Sequence, residues 1–228
     1  MTGSPFEFST EISVDEIERF LRSPGDTPIV AWSMQNTGAI ELLKKNGHLT
    51  GDPKYMFVSA RPGKRAAYEW MRQMMANRID NYQQEWPVWC LPSRPQSTRN
   101  IDDKLMRLEI PKSKMLISFY QPWESLLGVM AFLETRNMQW PSQWLHFECD
   151  SPLFNPIVDD SWDDNWPNVI PVTFDEKECR ASWEQIFDLT LAGRKGFGWW
   201  GIPRLQAMVS EVTMPELMEI LPIPIAQY

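Results

Sequence analysis

The chain has 228 residues, 22 Lys+Arg against 30 Asp+Glu, a formal net charge of −8 and a sequence pI of about 4.9. That length is one large domain or one domain with an appendage, and so acidic a protein is not a general coater of DNA. Three cysteines without C-x-x-C spacing and two distant histidines (His48, His146) exclude a disulfide framework and most zinc sites, and leave little room for a Ser-His-Asp triad; no metal is expected.

In chain order, Ser13-Val14-Asp15-Glu16 has the spacing of a capping box, with Ile17, Phe20 and Leu21 following at helical spacing. Ser23-Pro24-Gly25-Asp26 stops that helix, so residues 1–27 are expected as an N-terminal helical appendage and 28–228 as a single domain. A strand over 29–34 and a helix over 37–45 come next, the latter closed by Gly47. Residues 65–78 form a second amphipathic helix with Ala67, Trp70, Met71, Met74 and Met75 on one face. A short strand over 87–91 precedes a longer one over 107–119, which reads as an extended edge broken at Pro111. Pro122 opens a helix, 137–168 reads as a long irregular excursion, 182–189 as helical and 193–201 as a glycine-punctuated loop. A last strand runs over 204–210. Short strands mixed with helices in irregular order indicate α+β.

Charge and aromatic content are both uneven. The whole acidic excess lies in residues 150–228, whereas 54–114 is locally basic around Arg61, Lys64, Arg65, Arg72 and Arg78. The basic helix is either a solvated face or a surface for a phosphate-bearing ligand. Twelve tryptophans are mostly core material, with Trp32, Trp70, Trp89 and Trp183 expected to be buried. The absence of any apolar run of ~20 residues excludes a membrane span, and a reducing cytoplasm is the expected setting.

The pieces AYEWMRQM (67–74), PVWC (87–90), LEIP and LISFYQPW (108–123), SWEQIFDL (182–189) and LQAMVSEV (205–212) together resemble an uncharacterised bacterial family catalogued as a domain of unknown function. After PVWC that family commonly continues Arg-Pro-Asp-Leu-Arg, whereas this chain has Arg94-Pro95-Gln96-Ser97-Thr98-Arg99. The order of elements also resembles the ADP-ribosyltransferase superfamily. That likeness implies a mixed, mostly antiparallel split sheet with flanking helices that cradles NAD. Carried over residue by residue, it puts Ser33 on the first strand as a ligand-orienting group and Ser118 on a middle strand near the nicotinamide. Gln206 falls at the catalytic glutamate position of a late strand. Trp32, Arg61, Arg65 and Arg72 are the cofactor contacts it implies.

Breaking the nicotinamide–ribose bond develops positive charge on the sugar, which a carboxylate stabilises and an amide does not. Gln206 therefore has two readings, a weakened catalytic position or a buried structural amide. Three functions remain open. One is a catalytically weakened ADP-ribosyltransferase-like protein acting on a macromolecular or small acceptor. The second is a non-enzymatic module for a nucleotide or nucleic-acid end, with Trp89, Trp199 or Trp200 stacking on a base. The third is an interaction protein whose acidic 150–164 segment contacts another protein.

Overall fold

The computed structural model describes residues 4–56, 64–98, 102–120, 122–123, 183–192 and 204–225. The expected excursion over 137–168, the acidic 150–164 segment, the 193–201 loop and most of the helix opened by Pro122 lie outside the described residues. The chain divides into two compact units. Met1–Met56, Trp70–Ile117 and Leu205–Tyr228 make one, and Phe57–Glu69 with Ser118–Arg204 the other.

In the first unit the N-terminal helix α1 (Val14–Arg22) begins at the expected box: Glu16 N–H donates to the Ser13 hydroxyl, and Ser13 N–H to the Glu16 carboxylate. Ile17 and Phe20 turn inward, and Phe20 stacks with Phe8, which in turn meets Phe6. The segment is stitched to the strand that follows it. Phe6 N–H donates to Pro28 O at 2.7 Å and Val30 N–H to Phe6 O at 2.8 Å. At the helix's C-terminus, where carbonyls have no intrahelical donors, the Lys112 ammonium donates to Phe20 O, Leu21 O and Ser23 O at 2.6, 3.0 and 2.8 Å. Residues 4–27 thus share their contacts with the sheet of this unit.

Strand β1 (Pro28–Asn36) runs directly into α2 (Thr37–Asn46), capped by the Asn36 side chain and closed by Gly47 at φ 80°, the left-handed value that glycine tolerates. β2 (His48–Leu49), the single turn α3 (Pro53–Met56) and α4 (Lys64–Arg78) follow, and α4 buries Ala67, Trp70, Met71, Met74 and Met75 as its pattern requires. Then come β3 (Val88–Cys90), β4 (Asp103–Pro111), β5 (Met115–Phe119), β6 (Leu205–Val209), β7 (Val212–Thr213) and β8 (Leu217–Pro222).

Among the described residues, two three-stranded sheets, ordered β1-β4-β8 and β3-β6-β5, and a small β2-β7 pair result. The β1–β4, β4–β8, β3–β6 and β2–β7 ladders are all antiparallel, which bears out a mixed α+β fold. A backbone bridge connects the first two sheets: Trp32 and Leu91 exchange hydrogen bonds of 2.8 and 2.7 Å. β1 is buried from Ile29 through Ser33 without alternation, so both of its faces are covered there. Ile29 and Ala31 lie on one face with their partners Ile110 and Leu108. Val30 and Trp32 pack on the other with Leu105, Leu221 and Ile223. Each fully buried aliphatic side chain of this kind stabilises by ~1.5–3 kcal/mol.

One stretch of this unit differs from the sequence expectation. Residues 107–119 are not one broken edge. β4 is the centre of its sheet, with Pro111 at its last position facing Pro28, and a short 3-10 turn (Lys112–Lys114) hands the chain to β5 at the edge of the other sheet. The closing segment after Met214 is a 3-10 turn (Met214–Glu216) and then the edge strand β8.

In the second unit, Tyr68 meets Trp123 edge-to-face at 5.7 Å, and Tyr120 N–H donates to Arg204 O at 2.8 Å. Of the expected helix over 182–189, Trp183 is α-helical, and the described residues after it form two short 3-10 turns, Glu184–Phe187 and Leu189–Leu191. Asp188 ends the first and caps the second through the Thr190 N–H and hydroxyl. Trp183, Ile186, Leu189 and Leu191 are buried. No described helix is long and apolar enough to cross a membrane.

Candidate functional site

The polar groups of the first unit gather where β1 meets β3. Ser33 is wholly buried, yet its hydroxyl is satisfied: it donates to Trp89 O at 2.8 Å and accepts from the Gln35 amide at 2.9 Å. Gln35 lies two residues further along β1, hence on the same face, and is half-buried. Beside Ser33 is the Cys90 thiol. Burial pushes it up to about 12, the neighbouring Ser33 side chain pulls the other way, and the Glu216 carboxylate adds to the rise. A thiol so placed stays protonated at neutral pH and is no nucleophile.

Glu216 is the buried carboxylate of this region, only 6% exposed. Thr213 supplies it a backbone N–H at 2.7 Å and a hydroxyl at 2.8 Å, and Lys114 an ammonium at 2.8 Å. With both oxygens held, it acts as the anchor of the turn into β8. Among the described residues no three His, Cys, Asp or Glu side chains gather as a metal site.

The residues singled out from the sequence fall in several environments. Gln206 is buried at 2% exposure on β6, the central strand of its sheet. Cys90 lies opposite Ala207 and Trp89 opposite Met208, so strand alternation puts Gln206 on the Trp89–Met208 face, away from Cys90 and its Ser33 neighbour. Ser118 is buried on β5 and belongs to the second unit. Trp32 is 4% exposed and packs on the face of β1 opposite Ser33. Its indole N–H has no hydrogen-bond partner among the described residues. Trp70 and Trp183 are likewise buried, whereas Trp89 is half-buried.

The basic helix does not present a row of unengaged cations. Arg72 donates to Gln84 O and lies 4.4 Å from the centre of the Trp86 ring, clamping the turn that carries the two left-handed residues Asn81 and Gln84. Arg65 pairs with Glu69 at 3.1 Å, with both side chains largely in solvent. Arg61 lies outside the described residues.

One arginine that the sequence reading used only as a family landmark sits at the junction instead. Arg94, three residues after Leu91, is exposed and places its guanidinium 5.4 Å from the centre of the Trp32 ring. Gln35 also went unremarked, although its i+2 spacing from Ser33 was a readable signal.

No curated protein and no solved structure matches this chain. Residues 30–137, from within β1 to beyond β5, match the family model of a domain of unknown function (DUF3841).

Proposed function

We propose that this chain is an ADP-ribosyltransferase-like nucleotide-binding domain that takes NAD, or a macromolecule bearing a related nucleotide, and turns it over slowly or not at all. The observation that supports this reading is the junction of the two sheets. The Trp32–Leu91 backbone bridge and the Ser33 hydroxyl bonded to Trp89 O join β1 to the β3 segment there, and the Gln35 amide lies beside them.

The residues fit binding better than bond cleavage. The half-buried Gln35 amide suits a ribose hydroxyl, while the buried Ser33 hydroxyl, bonded to Trp89 O, holds that amide in place. The oxocarbenium character that develops on the ribose needs an anion, which Gln206 lacks and which Glu216 has committed to Thr213 and Lys114. This favours the non-enzymatic binding module over an efficient transferase.

Calorimetric titration with NAD is the test, with nicotinamide release measured for the native chain and for Gln206→Glu. The expected result is weak binding that fades as salt is raised, with release at background in both proteins. Gln206 is buried facing away from Ser33, so the added carboxylate lowers stability without restoring cleavage. No heat with NAD refutes the reading. Nicotinamide release by Gln206→Glu refutes the claim that the position is structural.

A further inference from the structure

We infer that Lys104 is an oxyanion-binding residue. Within the nucleotide reading above, on which this ligand assignment rests, its ammonium takes the diphosphate of the molecule whose ribose meets Gln35. The register of the first sheet places it there. Lys104 lies directly opposite Gln35 in the antiparallel β1–β4 ladder, and Met106 lies opposite Ser33. Directly opposed residues share a face of the sheet, with Cβ atoms ~4.5–5.5 Å apart. Lys104 therefore stands on the Ser33–Gln35 face, one strand over, and not on the Trp32 face, where the opposed residue is Arg107.

Burial along that face marks its open end. Ser33 and Met106 are wholly buried. In the next row Gln35 and Lys104 are half-buried, and Pro222, opposite Lys104 on β8, is exposed. The row Gln35–Lys104–Pro222 is thus the rim of the face, where a lysine covers its stem and keeps its ammonium in water. The charge there is also uncommitted. Among the described residues Lys104 forms no ion pair, while Lys112 is bonded to the α1 carbonyls, Lys114 to Glu216 and Arg107 to Glu109. Asp103, its neighbour in sequence, alternates to the other face, and its carboxylate takes the Thr98 hydroxyl at 2.7 Å. Lys104 and Gln35 therefore set a mobile point charge beside an amide that Ser33 holds in place. Phosphate and ribose, a few bonds apart in a nucleotide, are recognised by that combination.

The experiment measures NAD and inorganic pyrophosphate binding by calorimetry, at low and high salt, to the native chain, Lys104→Met and Lys104→Arg. Lys104→Met keeps the stem that covers the rim, and melting curves check that each variant folds. On the native chain, mass spectrometry after acetic anhydride treatment reads whether pyrophosphate slows acetylation of Lys104, a readout that needs no variant. The expected result is about tenfold or greater weakening of both ligands in Lys104→Met, with a flatter salt dependence. Lys104→Arg should bind nearly as the native chain does, and pyrophosphate should protect Lys104. Native NAD binding that Lys104→Met leaves unchanged, or a Lys104 that pyrophosphate does not protect, overturns the inference and leaves the nucleotide reading standing. Pyrophosphate binding through Lys104 without NAD binding upholds the oxyanion residue and refutes the nucleotide reading. An absence of both overturns both.

Discussion

Replacing Lys112 by Met keeps the length of the side chain and deletes the ammonium that closes α1. In the native chain that ammonium donates to three carbonyls at 2.6–3.0 Å and stands 4.6 Å from the centre of the Phe20 ring. A hydrogen bond from a charged group contributes ~1.5–3 kcal/mol, a cation at a helix C-terminus ~0.3–1, and a cation over an aromatic face ~0.5–1. These terms share one desolvation cost and do not add. Burial already works against the charge, holding Lys112 below the ordinary lysine value, and water replaces part of what is lost. A net loss of ~2 kcal/mol follows, which for a chain of this size lowers Tm by roughly 4–8 °C. Calorimetry gives the Tm, and hydrogen exchange locates the loss. Val30 N–H, bonded to Phe6 O, should lose protection along with the last turn of α1. A variant as stable as the native chain, or one whose lost protection lies elsewhere, refutes the idea that Lys112 ties the N-terminal segment to the sheet.

Two further outcomes are expected. Burial raises the Glu16 carboxyl, but the N–H groups and hydroxyls of Ser13 and Ser9 outweigh it and hold the group at about 2 against 4.5 for the free side chain. A depressed carboxyl contributes stability that is present above its unfolded value and lost as pH falls toward the folded one. The gap in Tm between the native chain and Glu16→Gln should therefore close as pH drops from about 4.5 to about 2, and a constant gap would contradict it. Gly51→Ala should destabilise by ~1–3 kcal/mol, because a Cβ there meets Pro87 O at 2.6 Å and Trp86 O at 2.8 Å; an unchanged denaturant midpoint would show that this backbone yields.

What the sequence disclosed and what it hid divide by range. The Ser13 box, the Gly47 cap and the buried face of α4 depend on residues within one or two helical turns, and each was readable. β8 was not. Its Leu-Met-Glu-Ile-Leu-Pro run lies on an edge with Met218 and Glu219 exposed, so it has no apolar alternation to announce it. The same limit governs the site. Nothing local to Ser33 indicates that its hydroxyl is spent on the carbonyl of a residue 56 positions away, or that Arg72 is committed to Gln84 and Trp86. Residue type identified the polar candidates, while their availability depended on partners that only the folded chain brings near.

Pro28 facing Pro111 closes the regular β1–β4 register, beyond which Lys112 N–H reaches Thr27 O and Ser113 N–H reaches Gly25 O outside the ladder. Neither residue has an amide hydrogen, which costs nothing where pairing ends but forfeits a bond wherever a proline enters the interior of a ladder. A slide of β1 by two residues in the direction that lengthens this end would carry one ring inside. A slide by one would exchange the two faces of the strand, sending Ser33 to the side now held by Trp32 and taking its hydroxyl from the Trp89 carbonyl. Misaligned pairings are thereby disfavoured from the end of the strand opposite to the one that carries the polar residues.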